Sequence, residues 1–357
     1  MDALTLASTA VALLAGEPEP DEPPYDAATD DPGLPRPAAD SGRRGPIREA
    51  VRRALVEDGA DVLIDLTGQT DVARLLRLAR ALRARVEDDI ALREELDRLV
   101  GAVLQAPATS LSGSWHFAYV LQDYAASCHR AGRWGEALPA YEQSRAIMIE
   151  LGDLAGAARG LNNLGAAHED RGEFAQAAAC FACSAETLSE LGDARAAALT
   201  LINLGNIHHR EGFWDEAAAC FDRGAAELRG VGDDVAAAHA RTNLALVLHD
   251  QGDSAAAVAM LAECHRELDA HGDLRGAALV LVDLASVHED LGSGEAALAF
   301  QERSAQLLGD LGEHEDWLSV MSGLGRLHLM LGNWDQAAAC YRSTAKTVAE
   351  RTTDLWV

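Results

Sequence analysis

The chain has 357 residues, with 30 basic side chains against 57 acidic ones and a net charge of −27. So acidic a surface repels nucleic-acid phosphates and anionic membranes, and argues against both as partners unless one face is locally basic. Apolar residues make up 48% and aromatics only 5%, a small-residue composition that suits closely packed helices rather than a β-sandwich.

The first sixteen residues are apolar (LTLASTAVALLAG follows Met1, Asp2 and Ala3). Asp2 stands where a secretory signal would be basic, and the run is too short to span a bilayer. Residues 1–16 therefore read as an apolar docking helix, with a cryptic targeting segment as the alternative. Residues 17–45 hold seven of the ten prolines, interleaved with acids from Glu17 to Asp31. Proline removes backbone donors and like charges repel, so this segment is expected to be a disordered linker. Residues 46–105 regain helical pattern. Pro46 can open a helix through Ile47, Val51 and Leu55, and Thr70 can cap a second through Val72, Leu75, Leu76 and Leu82. The arginines of that second helix (Arg74, Arg77, Arg80, Arg83, Arg85) spread around it and are followed by Glu87, Asp88 and Asp89, so they read as a solvated face. Residues 106–114 form a second, short linker, and 351–357 a tail. The six cysteines show no disulfide framework, and a reduced, cytoplasmic protein is expected.

From Trp115 to residue 350 one period takes over. Glycine recurs at Gly132, Gly172, Gly212, Gly252, Gly292 and Gly332, always forty residues apart. Eight residues before each stands a large residue (Tyr124, Leu164, Leu204, Leu244, Leu284, Leu324), followed by Ala or Gly. Five residues after each glycine stands an alanine, from Ala137 to Ala337. A second glycine closes the unit at Gly152, Gly192, Gly232, Gly272 and Gly312, followed by Asp four times and by Glu313. Six copies at fixed spacing predict a solenoid of helical hairpins, each burying the face its neighbour leaves open.

Within the repeats, Asn163, Asn203 and Asn243 share one position, continued by Asp283 and preceded by Asp123. Asparagine is a mediocre helix former, so its recurrence in mid-helix needs a cause. Two readings stand: the amides contact a ligand, or they bond between repeats and fix the stacking. Helical spacing adds Arg159, Asn162, Asn206, Arg210, His239 and Asp250, with Glu289 and Asp290, to the same surface. His168, His208, His288 and His328 are in phase too, but forty-residue spacing separates them too far for one zinc ion, whose ligands lie about 2 Å from it. They are expected to be packed, each with one nitrogen satisfied. Cys180, Cys220 and Cys340 read as core. No metal, no cofactor and no catalytic residue is expected, because no phosphate-binding glycine loop, G-x-S-x-G elbow or H-E-x-x-H helix occurs.

Leu164-Gly165, Gly172, Ala177 and Phe181 resemble the large-small, glycine, alanine and aromatic positions of the tetratricopeptide repeat family. The resemblance covers about residues 115–350 and is to its forty-residue branch, similar to kinesin light chains, LGN-type adaptors and bacterial signalling regulators. His168 and its equivalents replace the family tyrosine, the late proline is absent, and Ser254 and Gly294 stand where Trp134, Phe174, Trp214 and Trp334 would be. The resemblance implies an all-α fold, a right-handed α-solenoid of about six hairpins behind a small helical N-terminal region. It implies first helices lining a concave groove, where the asparagines grip a peptide backbone. The family's carboxylate clamp needs several basic residues, of which Arg159 and Arg210 are the only obvious ones, so a C-terminal carboxylate stays open as a ligand; the later repeats turn acidic, which favours a ligand with basic residues. The expected function is a non-enzymatic adaptor or sensor binding a protein or peptide, with residues 1–105 engaging a second component. The alternative is a regulatory or self-associating platform working through its end faces on a separate effector or ATPase. It is motivated by Ala338, Tyr341, Ala345 and Val348, which no seventh repeat covers, although Trp356 could cap them.

Overall fold

The computed structural model describes Trp115 to Asp354; the expectations for residues 1–114 and for Trp356 lie outside the described residues. The described residues form twelve α-helices in succession, with no strand among them. They are α1 (Trp115–Arg130), α2 (Trp134–Glu150), α3 (Leu154–Asp170), α4 (Phe174–Glu190), α5 (Ala194–Glu211) and α6 (Trp214–Gly230), then α7 (Asp234–Asp250), α8 (Ser254–His271), α9 (Leu274–Asp290), α10 (Gly294–Leu311), α11 (His314–Met330) and α12 (Trp334–Asp354). Odd-numbered helices are the first of each hairpin (A helices) and even-numbered ones the second (B helices). The last helix runs on to Asp354, into what the sequence sets apart as a tail.

The chain divides into two compact units, and the division falls inside α3, between Asn163 and Leu164. The first unit contains the α1/α2 hairpin, whose B helix is tied to its A helix where Ser144 donates to the Ala118 carbonyl at 2.6 Å. In the second unit, α4 to α12 pack as a consecutive series, and the internal B helices α6, α8 and α10 each touch the A helices on both sides.

Each connection is short because two side-chain chemistries meet in it. Gly212 ends α5 at φ 80°, where its N–H bonds the His209 carbonyl (3.0 Å) and the Phe213 N–H bonds the His208 carbonyl (2.8 Å). That left-handed turn strains any residue with a Cβ, which explains the invariant period of glycine. At the hairpin-to-hairpin links an aspartate follows and caps the next helix. Asp193, Asp233 and Asp273 accept the N–H three residues on, at 3.2, 3.1 and 2.9 Å. Gly-Asp thus stops one helix and starts the next within three residues. Asp253 makes the same cap inside a hairpin, accepting from the Ala256 N–H at 3.0 Å.

The core repeats as well. Phe181 and Ala177 of α4 pack on Leu204 and Ile207 of α5. Phe221 and Ala217 of α6 pack on Val247 of α7, and Leu261 of α8 lies with Leu284 and Val287 of α9. Each buried aromatic of this kind is worth about 3–5 kcal/mol against alanine. The small residue of the A helix admits the ring: a Cβ on Gly205 would lie 2.8 Å from the Phe221 ring.

The divergent repeats are compensated locally. Ser254, in place of an aromatic residue, meets His249 Nδ1 at 2.9 Å. The space above Gly294 is filled by Leu331, whose Cδ2 lies 2.9 Å from where a Cβ would stand. Gln301 takes the aromatic position in α10, is buried, and donates from Nε2 to the Val320 carbonyl at 3.1 Å. At the last hairpin the pattern stops. Tyr341 is 40% exposed and Val348 47%, where their equivalents Phe221 and Leu228 are fully buried.

Candidate partner-binding surface

In the second unit α5 touches α7 and α7 touches α9, besides the contacts each makes with its B helices, so one surface is lined by A-helix residues from consecutive repeats. Asn203, Asn206, Asn243 and Asp283 are all half-buried on it. The amide of Asn243 donates from Nδ2 to Oδ1 of Asn206 at 3.2 Å, across the seam between α5 and α7. This bond uses one of the two N–H groups of Asn243 and one lone pair of Asn206. Each amide keeps further capacity to donate and accept, held in a fixed orientation.

Asp283 differs. One repeat on from Asn206 stands Leu246, which has no donor to offer it. Among the described residues no hydrogen bond or ion pair reaches the Asp283 carboxylate, and burial alone pushes its pKa up to about 6. Four other carboxylates on these A-helix ends are paired between repeats. Glu169 accepts from Arg210 at 2.9 Å, and that guanidinium also lies 4.6 Å from the Phe174 ring centre. Asp250 faces His209 Nε2 at 2.5 Å, and Asp290 faces His249 Nε2 at 3.0 Å. Glu289 accepts from Arg326 Nη2 at 2.8 Å. Acids at helix C-termini oppose the helix dipole, so a cation from the next repeat is a fitting neighbour. Each exposed pair contributes well under about 1 kcal/mol and serves register more than strength.

His239 belongs to a different set of contacts. Its Nε2 meets Oδ2 of Asp273, the cap of α9, at 2.8 Å. Tyr119 does the same to Asp153 from the same repeat position, at 2.8 Å. Where that position is Leu199 or Leu279, an arginine four residues earlier takes over. Arg195 donates to the cap Asp233 at 2.8 Å, and Arg275 to Asp316, in the first turn of α11 rather than at its cap, at 2.6 Å. Asp233 and Asp273 therefore start a helix and bind the preceding A helix at once.

Of the residues expected to bind a partner, Asn203, Asn206, Arg210, His239, Asn243, Asp250 and Asp283 lie in the second unit. Arg159, Asn162 and Asn163 lie in the first, all half-buried on α3. Asn206 and Asn243 are brought together; Arg210, Asp250 and His239 each engage a residue of a neighbouring repeat. The Asn206–Asn243 bond is of the kind that the second reading of the asparagines expects, a bond between repeats. The inter-repeat pairs of charged groups were not anticipated, although a signal for four of them exists: opposite charges, or a histidine and an acid, forty-one residues apart.

The in-phase histidines split into two kinds. His168 Nδ1 meets Glu173 at 2.7 Å and His328 Nδ1 meets Asn333 at 3.4 Å. The Nδ1 atoms of His208 and His288 are buried without a partner among the described residues. Their rings pack instead on Phe213 and Phe300. At His208 the cause is visible in the sequence, because the residue five places on is Phe213 rather than an acceptor. Among the described residues no group of three or more His, Cys, Asp or Glu is placed to hold a metal ion. Burial raises the thiol pKa values of Cys220, Cys264 and Cys340, which makes them packing groups rather than nucleophiles. No helix of the described residues is long and apolar enough to cross a membrane.

A family model for tetratricopeptide repeats matches residues 117–190, 195–266 and 276–347. Solved structures of similar fold include BtubC (BKLC) from P. vanneervenii, 16% identical, with TM-score 0.54, covering 61% of this chain and 92% of that one. The apo form of RapI is 11% identical with TM-score 0.59, covering 78% and 99%. A signal-transduction ATPase with a tetratricopeptide repeat sensor, from Pyrococcus horikoshii, is 12% identical with TM-score 0.56, covering 86% of this chain and 45% of that one. These likenesses are of fold. No curated protein matches the sequence. With three matched segments that together span more than half of its length, this chain belongs to the tetratricopeptide repeat family.

Proposed function

We propose that this protein is a non-enzymatic, cytoplasmic scaffold that captures an extended segment of a partner protein along its A helices, as an adaptor or sensor. The carrying observation is the Asn206–Asn243 pair. Two half-buried amides are held in register across a repeat seam with donor and acceptor capacity left over, which suits a peptide backbone regardless of its sequence. Asn203 occupies the position of Asn243 one repeat earlier, and Asn163, Asn162 and Arg159 are the corresponding candidates in the first unit. Residues 1–105 then engage a second component. Asn203→Ala with Asn243→Ala tests this in affinity capture from the native cell. The partners retained by the native chain are lost from the variant while its melting curve keeps its cooperativity; unchanged capture sinks the reading.

A second reading has its own observation. Trp334 is 68% exposed, and Tyr341 and Val348 are exposed on the same last helix. Uncovered repeat ends favour association, here with a second copy or a regulated effector. Light scattering decides for the second copy: concentration-dependent mass that Tyr341→Glu abolishes supports it, and a strict monomer rejects self-association.

A further inference from the structure

We propose that Asp283 is the ionic anchor for one lysine or arginine side chain of the captured segment, so that the protein selects partners carrying a cation at a fixed register from the residues its asparagines hold. This rests on the capture of an extended segment along the A helices.

Asp283 stands at the repeat position of Asn203 and Asn243, on the surface that α5, α7 and α9 share. Its half-buried carboxylate has no hydrogen-bond or ion-pair partner among the described residues, and where Asn243 finds Asn206 it has only Leu246 as the equivalent. The cations at the ends of the neighbouring A helices are already engaged: Arg210 with Glu169, Arg326 with Glu289, and His209 and His249 with Asp250 and Asp290. Arg241 of α7 is committed to Glu263 and Glu267 of α8 at 2.6 and 2.8 Å. None of these cations is left over for Asp283.

A lone carboxylate held out of water is costly, and the two preceding repeats show the milder solution, an asparagine of the same shape. A group that burial disfavours alone becomes favourable when an opposite charge arrives, and the low local dielectric strengthens that attraction. Lysine and arginine fit because each adds a charge-assisted hydrogen bond, whereas an acidic or neutral residue leaves the carboxylate uncompensated. The surrounding cations are held in these pairs, so the half-buried Asp283 keeps an unmet charge at one rung. The ligand's cation is therefore placed rather than merely attracted by an acidic surface.

The test is selection from a random dodecapeptide display library on the full chain, on Asp283→Asn and on Asn243→Ala. The native chain is expected to select peptides with Lys or Arg at one aligned position, and Asp283→Asn to lose that preference while still selecting peptides. With a selected peptide made synthetically, replacing its cation by glutamine weakens binding to the native chain about tenfold and leaves binding to the Asp283→Asn variant unchanged. Selected peptides without a common cation, or a preference that survives Asp283→Asn, overturn the anchor and leave groove capture standing. Failure to select peptides, or selection indifferent to Asn243→Ala, overturns groove capture and the anchor with it.

Discussion

Asp283 shows how one substitution within a repeated position changes the physics of its site. Its pKa of about 6, against an ordinary 3.8, means the folded state binds its proton more tightly than the unfolded chain does. The folded state is therefore favoured at low pH, and that advantage is lost as pH rises from about 4 through about 6. Discounted for partial exposure, ionising this group costs roughly 1–2 kcal/mol. Asp283→Asn is expected to stabilise the protein by about that amount at pH 7.5, with the gain vanishing near pH 4. Urea midpoints of both proteins across that range measure it; a gain independent of pH refutes the assignment. Gly205 tests the opposite kind of constraint. A Cβ there would stand 2.8 Å from the Phe221 ring, so Gly205→Ala should destabilise by about 1–3 kcal/mol despite its better helix propensity. Chemical denaturation checks the sign.

At the scale of the element, the hairpin-to-hairpin link carries more than its length suggests. Asp233 caps α7 through the Ala236 N–H and also accepts from Arg195 on α5 at 2.8 Å. Asp253 caps α8 through Ala256, and among the described residues no side-chain donor reaches it across a repeat seam. Asp233→Ala should therefore cost about 1–2 kcal/mol and Asp253→Ala about 1, and only the former should be coupled to Arg195→Ala in a double-mutant cycle. The periodic aspartate was legible in the sequence, as was the glycine before it. Its second role was not, because its donors come from two different positions in the repeat, Tyr119 and His239 lying thirty-four residues before their acceptors and Arg195 thirty-eight, and differ in chemistry. Gly294 behaves alike: the sequence shows a missing aromatic, and the structure puts Leu331 in its place.

For the molecule as a whole, stability is set by how many neighbours each hairpin has. Internal B helices such as α6 are covered on both sides, whereas α12 packs chiefly on α11 among the described residues. Near-neighbour coupling then predicts fraying from this end. Backbone amides of α12 should exchange with deuterium at least about tenfold faster than those of α6, as mass spectrometry of the full chain would show, unless self-association covers Tyr341 and Val348. Such protection would itself favour the end-face reading. The net charge of −27 acts at this scale too, discouraging polyanionic partners.

From the order of amino acids alone follow the repeat, its helical hairpins, the glycine stops and the family, because each depends on residue types that recur every forty positions. That an aromatic ring packs on the small A-helix residue, as Phe221 does at Gly205, came with the structure. The asparagine positions stood out in the same way. The partner of each polar side chain emerged only once the repeats were stacked. Asn243 found Asn206, Arg210 found Glu169, Asp250 found His209, and Asp283 found nothing among the described residues. The physical reason is that a repeat fixes where a side chain stands, whereas its partner is supplied by the neighbouring repeat, in which the matching position has diverged.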